Sequence, residues 1–241
     1  MHEYPEKDEE IEAFKKRRKR SLILTGIAAV SLTLGVSSAA AYGCHQWNET
    51  RKNIASAIEQ ENTLYAEEKR QQLEEIIYEI KTPEEAFARI NMDVAFSKGS
   101  DIRLYGADKW SSMLETYSTK KGDCEDGAIA FAAMLSDNPE YEVKLVYLKR
   151  DPILKEADHM LAVYREKRLE TWGYASFNEI TDEPNVSVMK NPLYGSLDSA
   201  VKSYCNETFV SYQILDFTAE DLKFGTDITG RFGSSEAVII R

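Results

Sequence analysis

The longest uncharged stretch lies near the start of the chain. Ser21 to Gly43, SLILTGIAAVSLTLGVSSAAAYG, contains no charged residue. As a helix it would span about 34 Å, enough to cross a bilayer. The block Lys15–Arg20 precedes it, and the positive-inside rule then leaves residues 1–20 cytoplasmic and the rest of the chain on the far side. Ala39-Ala40-Ala41 also fits the small-residue site of a cleavable signal. The twenty-residue leader with its six acids is long for such a signal, so a retained single-pass anchor is the expectation. From Gln46 to Lys81 the pattern changes: no Pro, no Gly, and apolar residues at Ile54, Ile58, Tyr65, Leu73, Ile77 and Ile80. That spacing is close to helical, and the heptad breaks near Glu61 and Lys69. Residues 44–81 are therefore expected as a helical stalk rather than a long coiled coil.

A folded domain is expected over residues 82–241. Thr82 can cap a helix, with Pro83 at its first position and Glu85 as the reciprocal capping partner. A loop precedes Trp110. Asp123 stands as the N-cap of a helix whose first residue is Cys124, and every residue from Ala128 to Leu135 is apolar, which predicts burial on all sides. Strands are predicted over 141–148, 159–165 and 168–176, with Glu166-Lys167 as the hairpin turn between the last two. An irregular stretch, a helix over 196–204, a strand over 209–217, a short helix at Ala219–Lys223 and a polar tail complete the pattern. One buried helix against an antiparallel sheet is an α+β architecture.

Charge narrows the range of partners. The formal net charge is −11, and from His45 onward there are 23 basic against 35 acidic residues. So acidic a body argues against nucleic acid as the partner. Cysteine and histidine are scarce, three of each; His2 lies before the anchor, and Cys44 and His45 lie just past it. The domain keeps one histidine, His159, with Cys124 and Cys205. Cys124 opens a helix, where orphan N–H groups and the helix dipole favour a thiolate. His159 opens a strand 35 residues later and could pair with it as base. The acids Asp123, Glu125 and Asp126 oppose a thiolate unless they cap the helix or face solvent. Ser176 and Asn178, on the strand paired with His159, are the available residues to orient its ring. Cys205 reads as a packing residue.

The strings KKGDCEDGAIAFAAML, ADHMLAVY and WGYASFN together resemble the transglutaminase-like cysteine peptidase superfamily, a papain-like fold. Gly-Asp-Cys-Glu-Asp is most similar to its bacterial peptidase branch. That branch carries a Trp and then a Glu ahead of the cysteine, matched here by Trp110 and Glu115. The resemblance covers about residues 110–178. It implies Cys124 as nucleophile, His159 as base and an acidic or amide third residue. Here Ser176 or Asn178 stands where an Asp is usual. An oxyanion would meet the Cys124 backbone N–H, with the Trp110 indole as a second donor. Some members of the branch bind calcium through acids matching Asp123, Glu125 and Asp126; no cofactor is otherwise required. The expected function is a membrane-anchored thiol hydrolase or acyl transferase acting on peptide or protein amides. The alternative is an inactive binding or assembly module of the same fold.

Overall fold

The computed structural model describes residues 40–96, 109–154, 158–179, 186–205, 208–225, 233–234 and 236–240. The expected cytoplasmic tail and residues 21–39 of the expected anchor lie outside the described residues. Among the described residues no helix is long and apolar enough to cross a membrane. The chain divides into two compact units, residues 1–63 and 64–241. Of the first, the structure describes the beginning of helix α1 (Ala40–Glu79), on which Ile58 is exposed.

The second unit opens with the rest of α1. Leu64 and Tyr65 are exposed, whereas Leu73 is only 2% exposed and joins the main core with Ile76, Ile77 and Ile80. Helix α2 (Pro83–Asp93) begins as its sequence predicts, with a complete Thr82–Glu85 capping box and Pro83 in the first turn. The compact unit thus starts ahead of Thr82, because the apolar face of α1 is covered by the domain's own core. Strand β1 (Ala95–Phe96) pairs in parallel with β2 (Lys121–Gly122), and α3 (Met113–Thr119) lies between them in sequence. Helix α4 (Cys124–Leu135) follows, buried from Glu125 to its end.

The remaining strands are β3 (Tyr141–Arg150), β4 (His159–Glu166), β5 (Thr171–Glu179), β6 (Val186–Tyr194), β7 (Phe209–Asp216), β8 (Gly233–Ser234) and β9 (Val238–Ile239). They form an antiparallel sheet in the order β6-β5-β4-β3-β7-β8, with β9 also on β7. Helix α5 (Leu197–Tyr204) precedes β7 and α6 (Ala219–Phe224) follows it. The fold is α+β. Alternation along β4 turns Met160, Ala162 and Tyr164 toward the core that contains α4, and Leu161 and Val163 toward the core that contains α5. Covered on both faces, β4 is buried from His159 to Tyr164, which is why its sequence is apolar at nearly every position.

Two predicted features shift. The β4–β5 turn is Lys167–Glu170 rather than Glu166-Lys167, so β5 lies three residues later than predicted, with Leu161 opposite Ser176. Glu170 takes a left-handed backbone (φ 55°), a position whose usual Gly or Asn signal is missing from the sequence. The stretch expected to be irregular contains β6, an edge strand that tolerates Pro192 because an edge has backbone groups outside the ladder.

Candidate functional site

The site is built around the first turn of α4. Gly122 and Gly127 flank the Asp-Cys-Glu-Asp string for packing reasons. A Cβ on Gly127 would fall 2.5 Å from the Phe177 ring, so this glycine lets α4 approach β5 closely. A Cβ on Gly122 would fall 2.9 Å from Asp126 Cβ, so that glycine makes room for the Asp126 side chain. Asp126 is 1% exposed and accepts the Ser111 backbone N–H at 2.9 Å. The bond fastens the segment carrying Trp110 to the start of the helix.

The acids do not behave as the sequence suggested. Asp123 occupies the N-cap position and its carbonyl accepts the Gly127 N–H at 3.1 Å, but its side chain makes no capping bond. Glu125 does not face solvent. It is buried, and its Oε2 accepts the Cys124 thiol at 2.8 Å. The Glu125 carboxylate thus accepts from the thiol and the Asp126 carboxylate from Ser111. Among the described residues no group of three His, Cys, Asp or Glu side chains is arranged to hold a metal.

Cys124 is half-buried. Burial pushes its thiol well above the ordinary range, and the charge and hydrogen bond of Glu125, then Asp123, push it further the same way. The backbone N–H of Met160 approaches the sulfur and favours the thiolate, but is outweighed. That N–H belongs to the residue after His159, so the sulfur sits against the start of β4.

His159 is 1% exposed. Its Nε2 lies 2.8 Å from Ser176 Oγ, and its ring stacks on Tyr204 at 5.6 Å between centroids and 14° between planes. Nδ1 has no hydrogen-bond partner among the described residues. Burial lowers the imidazole to about 3, with the charge of Arg150 acting in the same direction. Thiol and imidazole are therefore both neutral at rest, and no hydrogen bond joins them. Burial disfavours the charged form of each group, and Glu125 adds to the cost for the sulfur. Of the two third-position candidates, Ser176 makes the contact with His159; Asn178 lies two residues further along β5.

The entry to β4 is fixed by Asp158. Its carboxylate accepts the Tyr147 hydroxyl at 2.9 Å and the Arg150 N–H at 3.0 Å. Trp110 packs on the same Tyr147 at 5.6 Å, which sets the indole near both the helix start and the strand start. Glu115 caps α3 through Ser112 and pairs with Lys109 at 2.7 Å. Cys205 is half-buried in the second core with its thiol raised to about 12 by burial, a packing residue as expected. Sequence reasoning missed Glu125 as the thiol's partner and missed Tyr204 altogether. Tyr204 lies four residues after Ala200 on the apolar side of α5, the one signal that it faces the core. No family model matches the chain, and no curated protein matches it.

Proposed function

We propose that this is a transglutaminase-like, papain-like domain that cleaves or transfers peptide or protein amides through Cys124. The observation that carries the reading is the seating of the Cys124 sulfur between the first turn of α4 and the Met160 N–H, one residue from His159. Among the described residues His159 Nδ1 has no hydrogen-bond partner, while Ser176 engages Nε2.

With both groups neutral at rest, His159 serves as a general base during attack rather than as half of a standing ion pair. For attack the Cys124 thiol turns from Glu125 toward His159 at the start of β4, and Sγ adds to the amide carbonyl carbon as its proton passes to Nδ1. The oxyanion meets the backbone N–H groups at the start of α4, with the Trp110 indole as second donor. The C–N bond then breaks, and His159 returns the proton to the leaving nitrogen. Water or an incoming amine resolves the thioester, giving an acid or a new amide and restoring the thiol.

The test is acyl transfer from an activated ester to the full chain, followed by intact mass. One acyl group should appear on Cys124, disappear in Cys124→Ala, and form about 100-fold more slowly or worse in His159→Ala. The second reading, a non-catalytic module, has one observation in its favour: the thiol donates to Glu125 and is held protonated. Acylation of Cys124 that proceeds equally well without His159, or no acylation at all, would select it.

A further inference from the structure

The side of the sheet that carries His159 and Ser176 is covered by α5, whose last residue is Tyr204. Ser176 Oγ, completely buried, donates its hydrogen to Tyr204 Oη at 3.2 Å. A serine hydroxyl has one proton. Given to Tyr204, that proton is not available to His159, so in the 2.8 Å contact the imidazole is the donor. Nε2 then carries the ring hydrogen and Nδ1 carries the lone pair, the tautomer that a base acting through Nδ1 needs. If the chain ran the other way, from Tyr204 to Ser176 to His159, the hydrogen would sit on Nδ1 and the ring could not accept the thiol proton.

A carboxylate in the third position would fix this tautomer unaided, because it only accepts. Ser176 cannot, because a hydroxyl donates as readily as it accepts. We propose that Tyr204 is a positioning residue of the site: its hydroxyl takes the Ser176 proton and its ring fixes the imidazole plane, so that Ser176 and Tyr204 together stand in for the missing carboxylate. The relay supplies direction without negative charge. It therefore orients a neutral imidazole and does little to stabilise an imidazolium, in keeping with a base that is charged only during turnover.

The inference rests on the proposed role of His159, and its test has a readout independent of activity. Nitrogen-15 multiple-bond spectra of the full chain report which ring nitrogen is protonated, with the His159 signals assigned by their loss in His159→Gln. The wild type should show the Nε2–H tautomer. Tyr204→Phe keeps the stacked ring and removes the acceptor; His159 should become a mixture of tautomers, and Cys124 acylation should slow about fivefold, the value of one hydrogen bond. Ser176→Ala cuts the same relay with Tyr204 in place and should lose the tautomer preference too, which decides the matter if Tyr204→Phe does not fold. An Nδ1–H tautomer in the wild type, or an Nε2–H tautomer that persists in both variants, overturns the proposal. A tautomer that responds while Cys124 stays inert upholds the relay and defeats the thiol-enzyme reading; the opposite result does the reverse.

Discussion

A carboxylate 2.8 Å from a thiol sulfur is a brake on ionisation of that sulfur. Glu125 opposes ionisation of Cys124 twice, by charge and by accepting the thiol hydrogen, and only burial acts more strongly in the same direction. Replacing the charge while keeping the shape separates these effects. Glu125→Gln should lower the thiol pKa and speed alkylation by iodoacetamide at pH 7 several-fold. Thiolate population gains tenfold per unit of pKa lost, whereas intrinsic nucleophilicity falls by only about half as much on the logarithmic scale, so population wins. Rates of alkylation against pH, in wild type and variant, check this. An unchanged profile would mean that burial alone sets the thiol and that the carboxylate is a bystander.

At the scale of elements, the end of α1 is a core helix. Leu73 is fully packed, Arg70 lies 4.0 Å from the Phe224 ring and 2.7 Å from Glu220 on α6, and Asn138 donates to the Lys81 carbonyl at 2.9 Å. Leu73→Ala should cost about 2–5 kcal/mol. A chain starting at Thr82, which the sequence reading expects to stand alone, should melt lower by at least that effect, while one starting at Leu64 should melt like the full chain; thermal denaturation of the three decides. Which elements could be read from the sequence follows from how local their signals are. The apolar run Ala128–Leu135 and strands β3, β4 and β7 announce themselves by pattern. The β4–β5 turn does not, because Glu170 adopts a glycine-like backbone without being glycine, and β6 does not, because Pro192 and Lys190 mask an edge strand. Cys124 and His159 stand out by scarcity and by opening their elements, and Ser176 follows from strand pairing. Glu125 on the thiol and Tyr204 on the imidazole depend on how the helices seat against the sheet, which no local spacing encodes.

For the molecule as a whole, the buried neutral imidazole links stability to pH. The unfolded chain binds a proton at His159 around pH 6.5, whereas the folded chain does so only near 3. Between those values the unfolded state holds more protons, so stability is fully present above 6.5 and falls as pH drops through the window. From pH 7.5 to 5.5 this one group should remove about 1.4 kcal/mol, a figure set by the unfolded value alone because the folded value lies well below the range. The acidic body pulls the other way. At a net charge of −11 the chain repels itself, and acidification toward its isoelectric point near 4.9 relieves that repulsion. Repulsion is spread over the surface and screened by salt, while the histidine effect is buried and is not. At 0.15 M salt the histidine should dominate, and denaturant midpoints should decline from pH 7.5 to 5.5. His159→Gln, which has no proton to gain, should abolish most of that slope. A slope that survives the substitution would place the pH sensitivity in the carboxylates and show that His159 is solvated enough to titrate normally.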